Sequence, residues 1–149
     1  MTVEITRRGA GRKFAAGELR PIASNLLALL NLHHQELSIA LVGDCEMRRL
    51  NSKYRRKNKT TDVLSFPPGK QPARGVALLG DVIISVEQAR RQAKERKKSI
   101  KSELVTLLIH GVLHLLGYDH ERSQRQAKLM AGLEQKLYRH LCEQGLIRL

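Results

Sequence analysis

Apolar residues recur along this chain at two spacings, every second residue and every third or fourth, and the switches between them predict the order of its elements. Val3 to Thr6 alternates with polar neighbours and predicts a short first strand. Glu18 to Leu32 carries Leu19, Ile22, Leu26, Leu29 and Leu30 at helical spacing, with Pro21 tolerated in a first turn. Leu37 to Val42 alternates again, a second strand, and Asp44 is the expected N-cap of a helix running through Tyr54. Val63 to Phe66, stopped by Pro67 and Pro68, predicts a third strand, Gly69 to Gly75 a loop, and the apolar run Asp81 to Val86 a fourth strand buried in a sheet. From Glu87 the spacing is helical: a basic helix to about Lys98, a second helix opening near Ser99 or Ser102, and a last one from Ser123, where Gln126 completes a capping box, to about Cys142. The pattern has no internal repeat and no interdomain linker. It predicts one domain over residues 1–149, an α/β (α+β) sandwich in which a small mixed sheet of about four strands packs with helices.

The second of these late helices is apolar nearly all round, through Leu104, Val105, Leu107, Leu108, Ile109, Val112, Leu113, Leu115 and Leu116, so it should be buried. It is too short, and too closely flanked by charge, to span a bilayer. Within it stands the run His110-Gly-Val-Leu-His114-Leu-Leu-Gly-Tyr-Asp-His120. A helix advances about 100° per residue, so His110 and His114 share one face a turn apart. Gly117 can take positive φ, end the helix and turn the chain so that His120 approaches from outside. Two imidazoles in so dry a segment need partners for their ring nitrogens, and a metal supplies them. Three protein ligands leave a fourth position for water, the pattern of a catalytic rather than a structural site. One divalent metal ion is therefore expected on His110, His114 and His120, with zinc the expected ion, although three imidazoles also suit nickel, copper or iron.

Charge adds a partner. Lys plus Arg number 27 against 14 Asp plus Glu, a formal net charge of +13, and this favours a polyanion, most simply nucleic acid. Between Glu46 and Asp62 every charged residue is basic: Arg48, Arg49, Lys53, Arg55, Arg56, Lys57 and Lys59. The loop after Tyr54 is the better candidate for phosphate contact; the second basic cluster, Arg90 to Lys101, reads as a solvated helix face. The aromatic set is small (Phe14, Tyr54, Phe66, Tyr118 and Tyr138), so no base-stacking platform is expected and binding should lean on phosphates and shape. His33 and His34 read as surface residues near a helix end, Cys45 and Cys142 as free thiols of a reducing cytoplasm, and no stretch has the form of an export signal.

The histidine spacing is that of the metzincin metalloproteases, His-Glu-x-x-His-x-x-Gly-x-x-His, but Gly111 stands where those enzymes carry the glutamate that serves as general base. The run instead resembles the YbeY family of bacterial endoribonucleases, whose hallmark His-Gly-x-Leu-His-Leu-x-Gly-Tyr-Asp-His is matched at every fixed position from His110 to His120. Two further segments agree: Leu50-Asn51-Ser52-Lys53-Tyr54-Arg55 with Thr61-Asp62-Val63-Leu64-Ser65-Phe66-Pro67, and Leu79-Gly80-Asp81-Val82. Asn58 and Thr60 depart from the aspartate and proline common in the connecting loop. The resemblance implies a cytoplasmic, metal-dependent endoribonuclease preferring single strands, acting on rRNA and ribosomal particles in 16S rRNA 3′-end maturation and ribosome quality control, with no membrane and no DNA partner. It carries the metal ligands to His110, His114 and His120 and a functional arginine to Arg55; the catalytic residues expected are Arg55 and His114. The residues themselves leave open a non-catalytic RNA- or ribosome-binding factor with a structural metal, and a divergent metallopeptidase. Asp119 could orient a ligand histidine or cap the turn, Asp62 and Ser65 could line the cleft or close a strand end, and the general base is unassigned.

Overall fold

The computed structural model describes residues 3–68 and 78–147. Its elements follow the predicted order: strand β1 (Val3–Arg7), helix α1 (Ala16–Leu29), strand β2 (Glu36–Val42), helix α2 (Asp44–Arg55), strands β3 (Val63–Phe66) and β4 (Leu78–Ser85), and helices α3 (Val86–Glu95), α4 (Ile100–Leu115) and α5 (Gln124–Glu143), with a short 3-10 helix at Gly9–Lys13. The sheet is mixed, in the order β1-β2-β4-β3. Strands β1, β2 and β4 run parallel, and β3 pairs antiparallel with β4 and forms an edge. The expected loop over Gly69 to Gly75 lies outside the described residues.

Strand alternation divides the core. Leu37, Ile39 and Leu41 of β2 and Val82 and Ile84 of β4 meet α1, α4 and α5 in the larger cluster; Val42, Leu64 and Ile83 pack with Met47 of α2 in a smaller one on the opposite face. Helix α4 is the centre of the larger cluster. Leu104, Val105, Leu108, Ile109, Val112 and Leu113 are each at most 1% exposed, and such side chains contribute roughly 2 kcal/mol apiece. Ser99 caps α4 by accepting the N–H of Ser102, and Ser123 caps α5 by accepting that of Gln126. Among the described residues no helix is long and apolar enough to cross a membrane.

Helix α3 stops at Glu95 rather than near Lys98, because Lys97 takes φ 56 and the Lys98 N–H returns to the Ala93 carbonyl, and three other features differ from the periodicity. Helix α1 starts two residues early and stops at Leu29, because Asn31 takes φ 59 and the Leu32 N–H returns to the Leu27 carbonyl. Pro21 thus sits beyond the first turn, where its missing N–H leaves the exposed Gly17 carbonyl to water. Strand β4 begins at Leu78, since Leu78 and Gly80 already pair with Glu36 and Leu37 across a register shift.

Asp44 is the third difference. Gly43 is the N-cap, and Asp44 is the first residue of α2, with its carboxylate turned to tertiary partners. It accepts the Ser85 hydroxyl at 2.8 Å and the Thr60 hydroxyl at 3.2 Å, and it pairs with Arg91 at 2.7 Å. One carboxylate thereby clasps the end of β4, the loop before β3 and helix α3 to the start of α2. Burial pushes its pKa up, but the Ser85, Arg91 and Thr60 contacts together hold it below the ordinary value. A depressed carboxylate stabilises the fold above its unfolded pKa, about 3.9, and that stability is lost as pH falls through the lower folded value. Asp44→Asn should therefore cost about 2 kcal/mol at neutral pH, by the usual worth of a charged hydrogen-bond partner. Denaturant melts of parent and variant across pH should show the gap holding to about pH 4 and closing below it; a gap unchanged at acid pH would remove the charged clasp.

Candidate metal centre and nucleic-acid cleft

The site begins with a helix that needs a glycine to reach the sheet. A Cβ built at Gly111 would stand 2.7 Å from Cγ1 of Val82 and 3.1 Å from the Ser65 hydroxyl. With hydrogen there instead, α4 lies close enough for Ser65 to donate to the Gly111 carbonyl at 2.9 Å. Position 111 therefore faces packed sheet, and a glutamate side chain has no room there. Its neighbours on the helix, His110 and His114, are half-buried and turn toward the open edge of β3.

Helix α4 then ends as a Schellman turn: the Gly117 N–H reaches the His114 carbonyl and the Tyr118 N–H the Leu113 carbonyl, at 3.0 and 3.1 Å. Gly117 supplies the positive φ, 99, that this turn requires. Asp119 closes the next turn by accepting the Glu121 N–H at 2.9 Å, so its side chain caps the turn that presents His120. One nitrogen from each of His110, His114 and His120 lies within 4.8 Å of the other two, and the three rings pair at centroid distances of 5.5, 5.2 and 6.0 Å.

A carboxylate that sequence reasoning did not single out completes the set. Glu134 of α5 stands 3.0 Å from Nδ1 of His110, leaving Nε2 of that ring for a metal. The Glu134 contact raises the His110 pKa against the opposing effect of burial, while burial first, and then repulsion from His110, lower that of His114. The signal for Glu134 was in the stripe of α5: Met130, Leu137 and Leu141 are its buried residues, and Glu134 is the acidic residue at the same helical spacing. A donor set of three imidazoles, one already oriented by a carboxylate on its far nitrogen, fits a divalent metal ion.

These histidines form one wall of a cavity of about 390 Å³ whose other lining includes Asn51, Arg55, Lys57, Lys59, Asp62 and Glu121. Arg55 is the last residue of α2; Arg56, in the left-handed region at φ 57, turns the chain back. The basic loop is then tied down by buried Asn51, which donates to the Lys59 carbonyl at 2.9 Å. Asp62 is fixed by the Val63 N–H on one oxygen, and Glu121, a second carboxylate of the lining, went unremarked in the sequence because it stands in a plain polar turn. A more voluminous cavity, about 520 Å³ between α4 and α5, is lined mainly by apolar surface and gathers no set of ligating groups.

A family model described as Endoribonuclease YbeY matches residues 8–142. An Endoribonuclease YbeY of Myxococcus xanthus is 48% identical over 149 residues, 99% of this chain and 49% of its own length, so the chain spans about half of that relative. One from a Sulfurihydrogenibium species is 44% identical over 141 residues, covering 94% of this chain and 90% of its own. Among solved structures, that of TM1509 from Thermotoga maritima superposes with a TM-score of 0.65 at 26% identity, over 91% of this chain and 86% of that one.

Glu134→Gln keeps the size of the side chain and removes its charge. Chelator competition with zinc(II) should read a metal affinity weakened about tenfold, the usual cost of losing such an orienting partner, and a larger loss for Glu134→Ala. Equal affinity in parent and both variants would leave Glu134 as packing only.

Proposed function

This chain belongs to the Endoribonuclease YbeY family, and on that premise we propose that it is a metal-dependent endoribonuclease that cuts single-stranded RNA, with rRNA and ribosomal particles as its substrates in 16S rRNA 3′-end maturation and ribosome quality control. His110, His114 and His120 hold the metal, for which zinc is the expected ion, and Arg55 and His114 are the residues on which cleavage depends. The whole acts as one domain in the cytoplasm. The observation that carries this reading is the single cavity faced by three convergent imidazoles on one side and Arg55, Lys57 and Lys59 on the other.

Each group has work that suits its chemistry. A bound divalent ion would supply positive charge to polarise a phosphoryl oxygen or lower the pKa of a water. Arg55 offers a planar cationic fork that takes two phosphate oxygens at once, so it can position the strand and offset developing negative charge. Lys57 and Lys59 extend that wall along the strand, and their loop is held by Asn51, so the cations are presented by a fixed backbone. Asp62 and Glu121 line the same cleft, and a carboxylate there suits proton transfer. The same geometry weakens the peptidase alternative, because the buried position of Gly111 has no space for the glutamate that such chemistry requires.

His114→Ala should fold, melt near the metal-free parent and lose cleavage of single-stranded RNA by about a hundredfold or more, the scale of removing a main electrostatic stabiliser. A well-folded His114→Ala protein cutting at the parent's rate would sink the reading. Arg55→Ala should lose comparable activity and also flatten the salt dependence of RNA binding, by about 0.7 in log–log slope for each phosphate that the arginine no longer neutralises. Arg55→Lys should restore the slope but not the rate, because an ammonium lacks the fork.

A further inference from the structure

The chain has five aromatic residues, and Tyr54 differs from the rest in its setting. Phe14 is buried, Phe66, Tyr118 and Tyr138 are half-buried, and Tyr54 is 55% exposed. Its ring is nevertheless held. It meets Phe66 edge to face, with centroids 5.2 Å apart and planes at 62°, and Phe66 is seated on the small core of Val42, Met47, Leu64 and Ile83. Lys53 places its ammonium 5.2 Å from the Tyr54 centroid. Covering Phe66 accounts for the contacting part of the Tyr54 ring but leaves more than half of the residue facing water.

The position of that exposed ring relates it to the cleft. Tyr54 directly precedes Arg55 on α2, and Phe66 directly follows Ser65 on β3; Arg55 and Ser65 both line the metal cavity. The pair thus sits where α2 and the edge strand meet, on the face of β3 that carries the small core, one residue along each element from a residue of the cavity lining. Its surroundings carry uncompensated charge: among the described residues no carboxylate pairs with Lys53, Arg55, Arg56, Lys57 or Lys59. Asp62 and Glu121 share the cavity lining but make no ion pair with these cations, and the acids at the far end of α2 are engaged there, Glu46 with Arg8 and Asp44 with Arg91. Lys53 lies over the ring, but its side chain is exposed, so a base can displace it and leave its ammonium for the adjoining phosphate. A propped ring among cations without carboxylate partners matches a nucleotide of a single strand, whose base needs a stacking surface and whose phosphate needs a counter-charge.

We propose that Tyr54, braced by Phe66, is a stacking subsite for one unpaired nucleobase of the RNA beside the metal cavity. It rests on the RNA reading given above and adds a reason for single-strand preference, since a paired base has no free face to offer. It also revises the expectation of no aromatic platform: two residues twelve positions apart in sequence become one surface only when α2 folds over β3.

The test is binding of a short single-stranded oligoadenylate to the full chain, stripped of metal so that the probe stays intact. Tyr54→Ala and Tyr54→Leu should each weaken binding about tenfold, while Tyr54→Phe stays within about twofold of the parent. Salt slopes should match the parent's, because every cation that meets a phosphate is kept. Leucine keeps an apolar cover over Phe66, so its melting temperature should hold. Affinity of Tyr54→Leu equal to the parent's would overturn the subsite, as would an equal loss on duplex RNA. From the ligand side, abasic positions scanned through the probe should reveal one whose loss costs the parent about tenfold and costs Tyr54→Leu nothing. A scan with no such position overturns the proposal even if a variant folds poorly. The two readings fail separately. A Tyr54-dependent loss of binding in a parent that never cleaves removes the nuclease and leaves the subsite. His114-dependent cleavage with Tyr54→Leu at full affinity does the reverse.

Discussion

The close approach of α4 to the sheet at Gly111 is the constraint on which the rest of this molecule depends. Because position 111 carries no Cβ, the helix backbone comes within hydrogen-bond reach of Ser65, and the two imidazoles flanking that contact are aimed past the edge strand. The helix is buried almost all round, so its axis is fixed by apolar packing on every side but one. That remaining side holds His110 and His114. The Schellman turn at Gly117 then brings His120, three residues on, to the same point.

Helix α2 contributes the opposite wall by a similar economy of means. Its first turn holds Asp44 and Glu46 and its last turn Lys53 and Arg55, which suits the helix dipole at both ends. The acids are consumed by structural partners, Asp44 in the clasp to Ser85, Thr60 and Arg91 and Glu46 in the pair with Arg8. Among the described residues the bases at the other end make no ion pair. Charge is thus sorted along one helix into a neutralised end that stabilises the fold and a free end that faces the cleft. A net charge of +13 gains functional meaning only through that sorting.

What periodicity and local chemistry encode was legible from the chain. The strand and helix order, the opening of α4 at Ser99 (one of the two serines expected there), the cap at Ser123 and the turn at Gly117 all rest on residues within a few positions of one another, and the structure reproduces them. The geometry that long-range packing decides was not legible. Asp44 looked like an N-cap because local chemistry makes an aspartate there a good one, yet tertiary hydroxyls and Arg91 outcompete the helix N–H groups for it. Glu134 stands 24 positions from His110, and Tyr54 reaches Phe66 across the loop before β3; spacing along one element cannot register either contact. The stop of α1 was missed for a different reason, since apolar spacing continues through Leu30 and Leu32 after the backbone has turned at Asn31.

The sheet order explains why a polymer rather than a small molecule suits this cleft. The central strands β2 and β4 are covered on both faces, and a site built there would be closed. Strand β3 is short, antiparallel and at the edge, so elements from both faces of the sheet, α4 on one and α2 on the other, come together around it, and among the described residues no third layer seals the gap. An exposed edge strand ordinarily invites pairing with another chain. Here the residues gathered around it include Arg55, Lys57, Lys59 and the three histidines, a setting that repels other basic chains of this kind and attracts a polyanion. On the proposed reading, a strand longer than the cavity would lie across this groove, with its reacting phosphate at the histidines and its neighbours on the α2 side. Under that proposal, selection would fall to what can bend around an edge and present a free base there, which favours single-stranded RNA over a stiff duplex.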